Sequence, residues 1–232
     1  MFYQAVLPVF TTFNKFLQRE TPCIHVLYDK LHSFVNKLLG KFVKVSIIRE
    51  AKDEGNLINA DFHSKENQLP DSNIFVGFMT RHILQQLLNG GDIADSEETK
   101  FYDGVRRFYT TATEYIKTTY PLKDDVLLHA KFVNFERREE CGFDSVEFFV
   151  HRYSHLQGLT SPSEMELLQE EFISYQLLSD TDIPSRIWDE AKVGEDDVYY
   201  RVDVLWKYLC QIQRVDSSEL KFLRLIQVAK VL

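Results

Sequence analysis

The chain has 232 residues, of which 44% are apolar and 27% charged, with only 9 Gly and 6 Pro and a formal net charge of −8. These values exclude a disordered or collagen-like chain and favour a folded, helix-rich protein. No apolar run approaches the roughly 20 residues that span a membrane, and the first residues lack the basic start of a secretory signal. We therefore expect an intracellular protein without membrane partners.

Positive charge is concentrated at the start of the chain. Residues 1–52 contain eight Lys or Arg and three Asp or Glu, a net charge of +5, so the remaining residues carry −13. This asymmetry predicts a basic contact face on an acidic body. Cys23, Cys141 and Cys210 form no C-x-x-C pair, so neither a disulfide framework nor a cysteine-rich zinc site is indicated.

Apolar residues recur with helical spacing along most of the chain. Residues 1–50 predict basic helices, at about 2–19 and 23–45, and a polar loop follows at about 50–72. In the acidic remainder, residues 73–232, further helices are predicted at about 73–89, 95–120, 123–137, 144–156, from Ser161 onward, 196–212 and 218–232. No strand pattern is convincing. The sequence thus predicts an all-α fold, a multi-helix bundle of about eight helices in a single domain spanning residues 1–232.

Three local signals predict where individual helices begin or end. The predicted helix at 73–89 ends at Gly90-Gly91, Asp95 is the expected N-cap of the next helix, and Ser161 followed by Pro and Glu164 marks a third start. In the first of these helices the apolar residues are predicted to face the core: Phe75, Phe78, Met79, Ile83, Leu87 and Leu88.

Four lysines form the main candidate contact with nucleic acid. Lys30, Lys37, Lys41 and Lys44 lie at offsets of 7, 11 and 14 residues, which places them within roughly 60° of one another on a helix predicted over residues 28–46. Such a row could track a phosphate backbone. The alternative is an ordinary solvated helix face, because lysine is the commonest surface residue.

The sequence contains few residue patterns that are typical of a catalytic or metal site. Glu147, His151 and His155 share the predicted exposed side of a helix, and no fourth ligand with zinc spacing accompanies them. No carboxylate pair is tied to a nucleophile, a base or a Gly-rich loop. We therefore predict no enzyme activity, metal or cofactor, and identify no small-molecule substrate.

The C-terminal segment carries an apolar surplus. Trp206 shares a helix face with other apolar residues and is interpreted as a core or interface anchor. The apolar residues of the last helix cover more than one face, so another part of this chain or a second copy must hide them. We expect self-association of the C-terminal helices as a homodimer. The residues assigned to it are Trp206, Phe222, Leu225, Ile226, Ala229 and Leu232.

Several segments resemble the hAT superfamily of DNA transposases. The series "LLQEEFISYQLL", "VLWKYLCQI" and "LKFLRLIQVAKVL" is similar to the approach to the family's C-terminal dimerisation region. Trp206, Phe222, Leu225, Ala229 and Leu232 match, whereas Leu223 stands where the family usually has proline. "FYQAVLPVFTTFNKFLQRE", "VNKLLGKFV" and "DDVLLHAKFVNF" resemble the all-helical region that interrupts the catalytic domain of these enzymes.

This resemblance implies a helical insertion domain without the catalytic machinery. The family's two metal-binding Asp residues are expected before Met1 and its Glu after Leu232, and the BED zinc finger is absent, so no catalytic residue is carried over. The leading hypothesis is a non-catalytic, transposon-derived (domesticated) protein that binds a protein partner or itself. The alternatives are a sequence-independent DNA-contact module and a stand-alone enzyme with an unrecognised site. The resemblance implies a nuclear location, with the cytoplasm as the alternative.

Overall fold

Eleven α-helices and several short 3-10 helices dominate the computed structural model, which describes residues 1–53, 59–194, 199–215 and 217–232. Within these ranges the one sheet is a pair of two-residue strands. The predicted all-α fold is therefore confirmed, but the helices are shorter and more numerous than the bundle of about eight expected. None of the helices described combines the length and the apolar composition that crossing a membrane requires.

Residues that pack with one another form two compact units. Unit 1 contains residues 1–19 and 29–122, and unit 2 contains residues 20–28 and 123–232. Residues 20–28 thus belong with the C-terminal half, although they lie near the start of the chain. The single domain of residues 1–232 stays a prediction.

Unit 1 is built around aromatic side chains. Phe13 stacks on Phe34 with ring centroids 4.4 Å apart, and Phe42 stacks on Tyr109 at 5.3 Å. Offset and edge-on aromatic contacts add to the free energy gained from apolar burial. The helices that contribute to this unit are α1 (Phe2–Leu17), α2 (Ile24–Leu39, from residue 29 on), α3 (Val45–Asp53), α4 (Phe78–Gly90) and α5 (Asp95–Thr119), with a 3-10 helix at Lys65–Asn67.

Helix α2 ends six residues earlier than predicted. The backbone after Leu39 turns, and the amide of Lys44 donates to the carbonyl of Asn67 at 2.9 Å. The amide of Phe75 likewise donates to the carbonyl of Lys41 at 2.8 Å. Asn67 lies in the region predicted as a long loop and Phe75 in the helix predicted at 73–89, so tertiary backbone pairing overrides the helical periodicity. Residues 50–53, predicted to begin the loop, instead belong to α3.

The start of α5 differs from the prediction by one residue. The N-cap is Ala94 rather than Asp95, and the side chain of Glu97 reaches back to accept from the amide of Ala94 at 2.9 Å. Asp95 lies in the first turn, where a carboxylate stabilises the helix dipole.

Unit 2 contains six short α-helices and the small sheet. The helices are α6 (Asp125–His129), α7 (Asp144–Arg152), α8 (Pro162–Gln176), α9 (Ser185–Ala191), α10 (Val202–Leu209) and α11 (Leu223–Ala229). The 3-10 helices are Ala130–Val133, Phe135–Glu140, Ser154–Leu159 and Asp180–Asp182. The antiparallel strands β1 (Lys192–Val193) and β2 (Tyr199–Tyr200) pair Lys192 with Tyr200 and Val193 with Tyr199.

Four of the helices predicted in unit 2 are broken or shorter than predicted, and the last of them, predicted at 218–232, is limited to α11. The predicted helix at 123–137 breaks at Asn134, whose extended backbone and side chain start a new 3-10 turn by accepting from the amide of Glu136. The predicted helix at 144–156 stops at Arg152 because Tyr153 is extended. The predicted helix at 196–212 begins only at Val202, after β2, and its residues 196–198 lie outside the described residues.

The start of α8 is confirmed. Ser161 is its N-cap, and the Ser161 hydroxyl accepts from the amide of Glu164 at 3.3 Å. The carboxylate of Glu164 does not complete a capping box, since it binds the guanidinium of Arg224 on α11, with Oε2 2.6 Å from Nε. On the same helix, buried Glu171 accepts from the amides of Arg224 and Leu225 at 2.7 and 2.9 Å. Both carboxylates therefore fasten α11 to α8.

Candidate functional site

Helix α4 is apolar and yet has no buried residue. The side chain of Phe78 is 83% exposed, Met79 is 54% exposed and Leu87 is 36% exposed. The exposed ring of His82 lies parallel to Phe78 with centroids 6.2 Å apart, which extends the same surface. We call these four side chains the α4 surface. Grouped apolar exposure of this kind marks interaction sites more often than single exposed residues do.

The contacts of Arg81 explain which side of α4 faces inward. Its guanidinium donates to the carbonyls of Asp71 and Ile74 at 3.0 and 2.6 Å, and to the hydroxyl of Tyr102 at 3.2 Å. Leu84 and Leu88 lie toward the same side of the helix and are half-buried. The cation with its three acceptors therefore occupies the inward side, and the opposite side meets solvent.

This orientation corrects the sequence-based expectation for α4. Phe78, Met79 and Leu87 were predicted to face the core, and they are on the surface. The helix also begins at Phe78 rather than near residue 73, because Gly77 adopts φ 85°, ψ 142°, which no helix accommodates. A Cβ at Gly77 would lie 2.4 Å from the Cβ of Ala5 on α1, so this glycine brings the helix start against α1.

The C-terminal end of α4 is a Schellman motif. Gly91 adopts the left-handed conformation with φ 74°, and its amide donates to the carbonyl of Leu88 at 3.1 Å. The amide of Asp92 donates to the carbonyl of Leu87 at 2.9 Å. This confirms the predicted stop at Gly90-Gly91 and fixes where the chain leaves the helix.

Negative charge borders this end of the helix. A Cβ built on Gly90 would lie 3.0 Å from a carboxylate oxygen of Asp92, which places that carboxylate beside the last turn of α4. Three further carboxylates follow within residues 92–98, which we call the acidic segment: Asp95, Glu97 and Glu98. Asp92, Asp95 and Glu97 are exposed. The α4 surface is therefore uncharged along its length and acidic at one end.

The four lysines predicted to contact nucleic acid do not share one helix. Lys30 and Lys37 lie on α2, whereas Lys41 and Lys44 follow its end at Leu39. Lys37 and Lys44 are exposed, and the ammonium of Lys30 lies 5.7 Å from the ring centroid of Phe16. The single helical row on which the prediction was based is therefore absent from this part of the structure.

Lys41 differs most from a phosphate-binding lysine. Its ammonium lies 3.5 Å from the ring centroid of Phe75, a cation–π contact. Burial lowers the pKa of Lys41 from its ordinary value. The contact with the ring and the partial burial both show that the Lys41 side chain packs against unit 1.

The residues predicted to self-associate lie in the interior of unit 2. Phe222, Leu225 and Ile226 are buried, and Ala229 and Leu232 pack against the same core. Trp206 is also buried, and its indole N–H donates to the carbonyl of Val133 at 2.8 Å. Most of the apolar surplus of the last helix is thus covered by this chain's own residues, whereas Ala229 and Leu232 are only partly buried, and self-association through these side chains stays a prediction.

Two surface cavities of unit 2 have volumes of about 640 and 600 Å³. The first is lined by Arg138, which is held by the carbonyls of Phe135 and Leu178. The second is lined by Arg214, which lies 3.9 Å from the carboxylate of Glu171. Both arginines therefore already have partners. In the described part of the chain, no three His, Cys, Asp or Glu side chains are grouped to hold a metal ion.

No family model, no curated protein and no solved structure matches this chain. The geometry of α4 is consequently the main guide to function. Periodicity alone could not have identified this surface, because apolar residues occupy most of the circumference of the helix and leave its inward side undecided.

Proposed function

We propose that this chain is a non-catalytic protein-binding module, and that the α4 surface docks a helical segment of a partner protein. The observation that carries the proposal is the exposure of Phe78 and Met79 on a helix that contributes no buried residue to its own unit. Aromatic and methionine side chains are enriched at the centres of protein interfaces, where their burial supplies much of the binding free energy.

The magnitude of the available burial is consistent with a specific but modest affinity. Fully burying the side chains of Phe78, Met79 and Leu87 gains about 1.5 to 3 kcal/mol each, less in proportion to the area already covered. Association costs at least about 4 kcal/mol in lost translational and rotational freedom. The apolar contacts alone therefore roughly offset the cost of association, and the partner needs additional contacts around the helix.

Quantitative co-purification with matched variants tests the proposal. Phe78→Ser with Met79→Ser removes the exposed apolar groups without touching the inward contacts of Arg81. Leu177→Ser is the control, because Leu177 is 78% exposed at the end of α8 in unit 2. We expect a set of proteins to be retained by the native chain and by the control but lost by the double variant, with direct titration of one purified member confirming the difference. Identical retention by all three would contradict the proposal.

The origin of the chain is a second part of this proposal. The resemblance of its sequence to the helical insertion region of hAT transposases supports a transposon-derived protein with a helical scaffold. A nuclear location follows from that origin as an expectation. Imaging the tagged full chain in cells checks it, and exclusion from the nucleus would count against it.

A further inference from the structure

The charge pattern around α4 narrows the kind of partner that fits it. We propose that the docked segment is an amphipathic helix whose apolar side covers the α4 surface and whose Lys or Arg residues lie opposite the acidic segment. This inference rests on the proposed function and adds the chemistry of the partner.

The outward side of α4 carries no fixed charge. Arg81 is the one Lys or Arg of the helix, and its guanidinium is bound on the inward side by two carbonyls and the Tyr102 hydroxyl. The helix contains no Asp or Glu. A partner that places a charge over the middle of α4 therefore gains no ion pair there and loses hydration.

The C-terminal end of the α4 surface differs in charge from its middle, because the acidic segment follows it. Residues 92–98 contain four Asp or Glu and no Lys or Arg, and the Asp92 carboxylate lies beside the last turn of α4. The partial negative charge at the C-terminus of a helix adds to their field. Glu97 uses one carboxylate oxygen to cap α5, and the exposed positions of Asp92 and Asp95 face solvent. Cations of a partner meet complementary charge at this end.

The shape of the surface selects a helix rather than a strand. The outward side of α4 offers side chains and no unpaired sheet edge, and the described residues of unit 1 contain no strand to which a partner strand could be added. A helix of 13 residues is about 20 Å long. A partner helix of about four turns covers it from Phe78 to the acidic segment and places basic side chains at one of its ends.

Binding of two designed peptides to the full chain tests the inference. Both are about 16 residues long with the same leucine side, and one carries four Lys where the other carries four Glu near one end. Fluorescence anisotropy of each labelled peptide is measured at about 50 and 300 mM salt. We expect the Lys peptide to bind about tenfold more tightly than the Glu peptide at low salt, with the difference shrinking at high salt.

Two variants separate the contributions of charge and apolar contact. Asp92→Lys with Asp95→Lys is expected to abolish the preference for the Lys peptide, whereas Glu166→Lys with Glu170→Lys, exposed on α8, leaves it unchanged. Phe78→Ser with Met79→Ser is expected to abolish the binding of both peptides. Circular dichroism melting of each variant confirms that the chain is folded.

Each other outcome overturns the inference in a distinguishable way. Equal binding of both peptides, lost in Phe78→Ser with Met79→Ser, would refute the basic partner but leave the proposed function standing. Lys-peptide binding that survives that double variant would show attraction by charge alone. Failure of both peptides to bind refutes a helical partner and with it the helical part of the proposed function, and the co-purification experiment then decides independently whether the α4 surface binds a protein. A dimer of the chain that disappears in the same double variant would make a second copy the occupant.

Discussion

His25 is a buried imidazole that stays neutral in the folded chain. It is 4% exposed, and Nδ1 has no hydrogen-bond partner among the described residues. Burial lowers the pKa of His25 to about 4, against a smaller opposing effect of the Asp203 charge. Charging this ring inside the protein therefore costs free energy that the unfolded chain does not spend.

Stability is expected to fall as the pH drops below the ordinary histidine pKa. Between about pH 6.5 and 4 the unfolded chain binds a proton at His25 that the folded chain does not, so the free energy of unfolding decreases by about 1.4 kcal/mol per pH unit, to a total of about 3 kcal/mol. Urea unfolding followed by tryptophan fluorescence measures this in unit 2, because both Trp188 and Trp206 lie there.

Replacing the ring isolates its effect on the pH dependence. His25→Gln should flatten the stability profile between pH 6.5 and 4.5, whereas His151→Gln, at an exposed position, should leave it unchanged. The carboxyl of Asp203 has a pKa lowered mainly by its hydrogen bonds from Arg201. The stability that ionised Asp203 contributes is lost as the pH falls through that lowered pKa, which lies below the window of pH 6.5 to 4.5. Equal slopes for the native chain and His25→Gln would refute the assignment.

At the scale of single residues, the sequence did not predict which side chains come into contact. Lys41 was expected on a solvated row and instead covers Phe75, a residue expected in the core. The two lie 34 positions apart, and the backbone hydrogen bond from the Phe75 amide to the Lys41 carbonyl is one of the contacts that bring their segments together. Helical periodicity carries no information about such a pairing.

Helix α4 is held between two glycines with positive φ, and this arrangement gives a prediction at the scale of the element. Gly91→Ala adds a Cβ that meets nothing within 4 Å, so it costs only the backbone strain of the left-handed conformation, about 1 kcal/mol. Gly77→Ala adds larger backbone strain, because φ 85°, ψ 142° lies outside the left-handed region that other residues reach, together with a clash with Ala5 at 2.4 Å, and should cost clearly more. Hydrogen exchange of the α4 amides measures both losses.

A third variant separates the clash from the backbone strain. Combining Gly77→Ala with Ala5→Gly removes the contact, so the double variant should be less destabilised than the sum of the two single variants. Strict additivity would mean that Gly77 is needed only for its backbone conformation and that the approach to α1 contributes nothing.

The elements show where sequence analysis succeeds and where it fails. Ser161 and Gly90-Gly91 were predicted correctly because capping is a local matter of a few residues. The inward side of α4 was predicted wrongly because it depends on bonds from Arg81 to Asp71, Ile74 and Tyr102, which lie up to 21 positions away. The α4 surface, which is the candidate site, could be recognised only once the structure showed which side of α4 faces inward.

At the scale of the molecule, the charge is divided between the units. Unit 1 contains 14 Lys or Arg and 13 Asp or Glu, a net charge of +1, whereas unit 2 contains 13 and 22, a net charge of −9. The +5 of residues 1–52 is thus balanced within its own unit by acidic residues that follow in the sequence. The basic contact face expected from the sequence is weaker than the first residues suggest.

This balance predicts weak binding to nucleic acid. In a gel-shift titration at about 100 mM salt, we expect a dissociation constant for duplex DNA no tighter than about 10⁻⁴ M, the weak end of non-specific binding. Lys37→Glu with Lys44→Glu, two of the three exposed members of the predicted row, should change it little. Tight binding that falls steeply with salt and is lost in this double variant would instead support the DNA-contact alternative.

The early position of residues 20–28 has a consequence for the order of events on the ribosome. These residues pack with the segment 123–232, but the 94 residues of 29–122 are synthesised in between. At about 5 to 20 residues per second, that separation lasts about 5 to 20 s. At the end of this interval all residues of unit 1 have been synthesised. The residues of the unit 2 core, which Ile24 and His25 join, have not. A nascent chain therefore exposes this nonapeptide to chaperones until translation is almost complete.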